Sequence, residues 1–202
     1  MIHAQTIPVE VTAIEQVTPL IKQFTLRPIG GGELPPFSGG CHVIVVMHGK
    51  DRTHRNPYSL LSSPRDLSSY QIAVRRHDQG RGGSLFMHQK VEVGTGLEVA
   101  HPVNLFPLAK LARKHILIAG GVGITPMMAM IDDLRTGPVP WELHYSARAP
   151  AHDYFGRKLR AAHDSGNGIH LYHDSTGNAL DIERVLADQP LGTHVYPAHP
   201  VL

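Results

Sequence analysis

The stretch from His115 to Leu134 constrains the fold of this chain more than any other. His115–Ala119 is a short apolar run without alternation, the pattern of a strand covered on both faces of a parallel sheet. Gly120-Gly121-Val122-Gly123-Ile124-Thr125-Pro126 follows directly, and Met127–Leu134 then reads as a helix. Glycine at Gly120, Gly121 and Gly123 lets the backbone turn sharply and lets an anion approach with no Cβ in the way. The free N–H groups and dipole of the following helix favour that anion. Thr125 is placed to cap the helix, and Pro126 suits its first turn, where no N–H is needed. Such a turn either seats the pyrophosphate of a dinucleotide or makes a tight connection with no ligand. Pro126 stands in place of the third glycine of the common GxGxxG form, which separates the chain from a standard dehydrogenase domain.

The sequence changes character around this element. Before it, β-type runs at Ile7–Val17, Ile21–Pro28, His42–Met47, Tyr58–Leu61, Tyr70–Arg75 and Gly96–Val99 are separated by Gly and Pro turns, which predicts a six-stranded antiparallel β-barrel. A helix near Ser84–Lys90, with Ser84 as its N-cap, interrupts the barrel. After Pro107, strands at His115–Ala119, Glu142–Tyr145, Ile169–His173 and His194–Tyr196 alternate with helices at Met127–Leu134, Tyr154–His163 and Ile182–Ala187. That alternation predicts an α/β domain with a parallel sheet. The boundary falls near Leu108–Arg113, giving domains 1–108 and 109–202, each long enough to bury a core.

Composition removes several function classes. A formal charge of +2, with no basic stripe, argues against nucleic-acid binding. No apolar stretch approaches the roughly 20 residues of a membrane helix, and the N-terminus lacks a signal pattern. The single cysteine, Cys41, heads an apolar run and reads as core; one thiol excludes an internal disulfide framework or a cysteine-ligated iron–sulfur cluster. A cytoplasmic location without membrane attachment fits all of this. The 15 histidines show no HExxH or paired-ligand spacing and read as surface and loop residues, with no metal site expected.

Two further segments can carry chemistry. In Arg55-Asn56-Pro57-Tyr58-Ser59-Leu60, alternation puts Tyr58 and Leu60 on one face and Ser59 on the other. A tyrosine ring there can lie against a planar aromatic ligand, or it can be ordinary packing. Arg81-Gly82-Gly83-Ser84 is a glycine pair opening a helix, either a phosphate cradle or a hairpin turn with a serine cap.

Together these segments resemble the ferredoxin–NADP reductase superfamily, in particular its FMN-containing, phthalate dioxygenase reductase-like branch, whose members serve Rieske-type oxygenases. The resemblance runs over essentially the whole chain. It implies an FMN-binding barrel in 1–108 followed by an NAD(P)-binding domain in 109–202. It also implies that Arg55, Tyr58, Ser59 and Leu60 hold the isoalloxazine, that Ala73, Val74 and Arg75 present backbone groups to its pyrimidine edge, and that Gly82, Gly83 and Ser84 bind the FMN phosphate. His101–Leu108 is similar to the family's barrel-closing segment, Gly120–Pro126 to its nucleotide turn, and His144–Arg148, with Ser146 and Arg148, to the place where the adenosine ribose lies. The implied activity is hydride transfer from NADH to FMN at a seam lined by Ser59 and Thr125, the expected catalytic residues. Single electrons then pass to an iron–sulfur acceptor, a separate ferredoxin or a Rieske-type oxygenase component.

The chain departs from that pattern in three places. Asn56 and Pro57 separate Arg55 from Tyr58, which makes Arg52 a rival for its role. The family's Cys-Gly-Pro turn reads Ala198-His199-Pro200 here, and no iron–sulfur domain follows, so the second domain reads as shortened at its C-terminal end. A second reading is therefore a truncated or catalytically impaired flavin- and nucleotide-binding module. For the coenzyme, Arg148 suits a 2′-phosphate and Asp153 is the nearest acid for a 2′-hydroxyl, while the resemblance implies NADH.

Overall fold

The computed structural model describes residues 6–162 and 168–198. The first half forms an antiparallel sheet from β1 (Thr6–Thr18), β2 (Ile21–Pro28), β3 (Cys41–His48), β4 (Thr53–Ser59), β5 (Tyr70–Arg75) and β6 (Gly96–Ala100), in the order β4-β3-β6-β1-β2-β5. Helix α1 (Gly83–Gln89) lies between β5 and β6, and the two-residue strand β7 (Val103–Asn104) adds to β3. Alternate residues of these strands face inward, so Val9, Val11, Phe24, Leu26, Val43, Val45, Tyr70, Ile72 and Val99 form one core with Cys41. Burying each large apolar side chain contributes about 1.5–3 kcal/mol.

The second half is a parallel sheet of β8 (Lys114–Gly120), β9 (Trp141–Ala147), β10 (Ile169–His173) and β11 (Thr193–Ala198), in the order β10-β9-β8-β11. Helices α2 (Thr125–Leu134) and α3 (Tyr154–Ala161) cover one face through Met127, Met130, Ile131, Phe155 and Leu159; α4 (Ile182–Leu186) precedes β11. The core beneath α2 and α3 continues into the barrel half through Val17, Ile21, Leu61 and Ala73. At the junction, a Cβ on Gly39 would stand 2.5 Å from the Met130 Cα, and the Gly39 N–H donates to Asp133 Oδ2 at 2.8 Å. Arg65 pairs with Asp132 at 2.6 Å, and the Tyr154 hydroxyl donates to Glu15 at 2.6 Å.

Several local expectations need correction. β4 spans Thr53–Ser59 rather than Tyr58–Leu61. Its polar residues and Pro57 look like loop, yet an end strand needs neither two apolar faces nor every N–H. Thr125 does not cap α2: a 3-10 turn, Gly121–Ile124, leads into the helix, and Thr125 Oγ1 donates to the Val122 carbonyl at 3.0 Å. Ser84 does not cap α1 either; Gly82 holds that position at φ 91°, and Ser84 Oγ accepts from the His77 N–H at 3.1 Å. α3 ends at Ala161, and the expected end at His163 lies outside the described residues. The histidines are not all at the surface, since His115 and His144 are 3% and 6% exposed.

Candidate functional site

The long β1–β2 hairpin reaches past the barrel and meets the strand ends of the parallel sheet. Between them lies a cleft of about 330 Å³, lined by Thr18–Ile21 and Arg75 from the barrel half and by Gly120–Val122, Ser146–Arg148, His152 and Asp174 from the other half. Its floor is the carboxyl end of β8 and β9, the end of the strands at which open α/β sheets bind ligands. Gly121 has φ +50°, so the backbone is bare where a side chain would be strained. The Gly121 carbonyl is anchored by the buried Tyr145 hydroxyl at 3.2 Å, which fixes the turn. Arg75 and Arg148 both line the cleft, and a guanidinium suits phosphate.

A second opening lies in the barrel. Among the described residues no ladder joins β4 to β5, the two ends of the sheet. They touch where the Leu61 N–H donates to the Gln71 carbonyl at 2.9 Å and the Gln71 N–H donates to Ser62 Oγ at 3.2 Å. Strand alternation turns the N–H and C=O of Ala73 and Arg75 to that same side. The Tyr58 hydroxyl is buried near Asn56 and makes no hydrogen bond of ordinary geometry. Burial pushes its pKa up to about 12, with Asn56 pulling the other way. Leaving such a hydroxyl unmet costs about 1–3 kcal/mol. At the same end, a Cβ on Gly83 would stand 2.4 Å from Asn56 Oδ1, and one on Gly82 3.0 Å from His54. Bare backbone thus lets α1 begin in close contact with the side chains of β4. Open strand edges, an unmet phenol and a glycine cradle together fit a planar heteroaromatic ring carrying a phosphate.

The structure gathers some of the expected residues and disperses others. Arg75, Gly120, Gly121, Ser146 and Arg148 share the cleft, while Gly123, Thr125 and Pro126 continue behind it into α2. Tyr58, Gly82 and Gly83 gather around His54 and Asn56. Arg55 lies three residues from Tyr58 and so on the other strand face, exposed and within electrostatic reach of Glu98. Leu60 and Val74 are core side chains, which leaves their backbones for any contact. Ser59 ends β4 opposite His42, and Thr125 is 6% exposed with its hydroxyl turned inward; neither lines the cleft. Asp153 is 1% exposed and held by His173 at 2.8 Å, so it cannot serve a ribose; the acid in the cleft is Asp174. Sequence reasoning missed Asp174, His152 and Thr18–Ile21. A Pro-containing turn between two long β runs was the signal available for the last of these.

No family model matches the chain. It is 47% identical over 196 residues to the carnitine monooxygenase reductase subunit of Escherichia coli strain K12, covering 97% of this chain and 61% of that protein. It is 42% identical over 193 residues to the heme-dependent oxidative N-demethylase beta subunit of Ectopseudomonas mendocina, covering 95% of this chain and 60% of that protein. Among solved structures it superposes on phthalate dioxygenase reductase, described as modular for electron transfer from pyridine nucleotides to [2Fe-2S], with a TM-score of 0.87 and 33% identity over 96% of this chain and 60% of that one. The chain therefore spans about three-fifths of the length of these relatives. With its antiparallel sheet followed by a parallel one, the chain has the two-part fold of the ferredoxin–NADP reductase superfamily and is similar over nearly its whole length to reductase subunits of oxygenases.

Proposed function

We propose that this chain is the flavin- and nucleotide-binding part of an NADH-dependent FMN reductase that delivers electrons to an iron–sulfur acceptor of a multicomponent oxygenase. One observation carries the reading: a single cleft joins Arg75 of the barrel half to Gly120–Val122 and Ser146–Arg148 of the parallel-sheet half. Bound FMN supplies the conversion of a two-electron donor into single electrons. The chain's own residues supply position, which is most of what hydride transfer needs. Gly82, Gly83 and Ser84 take the phosphate; the Ser84 hydroxyl is free to turn to it, since its one acceptor, the His77 carbonyl, lies at 3.5 Å. Tyr58 and the edges of Ala73 and Arg75 orient the ring. Arg148 meets the pyrophosphate or ribose side of the dinucleotide, and Asp174 favours a 2′-hydroxyl over a 2′-phosphate by charge. The Thr18–Ile21 turn shields the seam from water.

The test is anaerobic. Purified protein should be yellow, release FMN by mass spectrometry, and bleach when NADH is added under argon. Yellow protein that stays oxidised for minutes overturns the reductase reading, and a colourless preparation that FMN does not reconstitute overturns flavin binding as well. The Asp174→Asn substitution should narrow the preference for NADH over NADPH; an unchanged ratio removes Asp174 from coenzyme selection.

A further inference from the structure

The face of the parallel sheet opposite α2 and α3 carries a cluster that the electron-transfer reading does not use. β9 and β10 run parallel with His144 and His170 as register partners, so their side chains leave the same face side by side. Glu142, two residues before His144, shares that face. The two imidazole rings are stacked, with centroids 4.6 Å apart and planes 12° from parallel. One ligand atom from each of Glu142, His144 and His170 lies within 4.8 Å of the others.

We infer that Glu142, His144 and His170 form a binding site for a divalent transition-metal ion of the zinc class. Two imidazoles and one carboxylate are the donor set such ions prefer, with the remaining coordination positions left to water. Bonds of about 2.0–2.2 Å require donor atoms about 3.2–3.6 Å apart. Glu142 Oε2 and His144 Nε2 already stand at 3.3 Å. His170 is exposed, so a side-chain rotation brings its nitrogen to the same point without moving the core. The partners behind the ligands are in place. Lys114 holds the far carboxylate oxygen of Glu142 at 2.7 Å. The Tyr172 hydroxyl lies 2.9 Å from His144 Nδ1, and because a phenol can donate or accept, it can accept a hydrogen bond from the Nδ1–H of the tautomer that frees Nε2 for a metal. β10 is the end strand of its sheet, so a bound ion ties that edge to β9. Ser146, on the same face two residues beyond His144, already belongs to the nucleotide cleft.

Calorimetric titration of zinc chloride into untagged, chelator-treated protein tests the site, and thermal unfolding with and without zinc gives a second readout. The expected result is one saturable zinc per chain and a raised Tm. His170→Ala and Glu142→Gln should each weaken binding by roughly 10-fold or more and abolish the rise in Tm. His170 is exposed, so its loss leaves the fold intact. Binding of equal strength in His170→Ala, or no saturable binding in the unsubstituted protein, overturns the assignment.

Discussion

The two halves of the molecule present their backbones by opposite means. The barrel half offers the sides of strands: β4 and β5 are ends of one sheet, held near each other at Leu61 and Gln71 and left unladdered beyond. The parallel half offers the tips of strands, with Gly120–Val122 and Ser146–Arg148 emerging from β8 and β9 into a cleft. A sheet edge suits a flat ring, because its N–H and C=O groups lie in a line. Strand tips followed by a helix suit phosphates, because N–H groups converge there. In both halves glycine supplies the close approach.

That contrast can be broken in order of effect. Gly83→Val would drive a side chain into Asn56, which lies 2.4 Å from the position of a Cβ, so flavin affinity should fall roughly 100-fold and the protein purify colourless. Retained colour would mean that the ring is held elsewhere. Gly121→Val forces a branched residue to φ +50° at a cost of about 1–2 kcal/mol, so the KM for NADH should rise roughly 10-fold while flavin content stays full. A variant that lost flavin as well would show that the halves do not bind independently. The smallest effect concerns α1, where it packs on β5 and β2. Burial holds the His88 imidazole below its ordinary pKa, aided by Lys22 and Arg76 and opposed by the Val74 carbonyl and Asp78. The unfolded chain therefore takes up the proton first, and stability drops as pH falls from about 6.5 toward the lower folded value. His88→Gln keeps a donor for Val74, which His88 Nε2 meets at 2.8 Å, and should lessen the drop in the urea midpoint between about pH 7.5 and 5.5. His115 and His144, also held low by burial, keep the remainder.

The parts legible from sequence were those whose local pattern and final environment agree. Ile116–Ala119 is apolar on both faces and is covered on both, so β8 and the turn after it could be read directly. β4 could not be, because His54, Arg55, Asn56 and Pro57 obey the rules of a sheet end, and nothing local says where a sheet ends. Thr125 looked like a cap because the 3-10 turn that makes a cap unnecessary leaves no mark in the sequence. The reach of Thr18–Ile21 into the cleft, and the meeting of His144 with His170 across 26 positions, depend on strand length and register, which are settled by the sheet as a whole.

The unladdered stretch of β4 and β5 also bears on how the protein keeps company with itself. Backbone groups in a row that nothing covers are a template for a foreign strand. A ring lodged between Tyr58 and Ala73 would act as a stopper as well as a reagent. Stripping it would convert the opening into a place where a second chain can add a strand, and loss of colour on storage would then be followed by clouding of the solution.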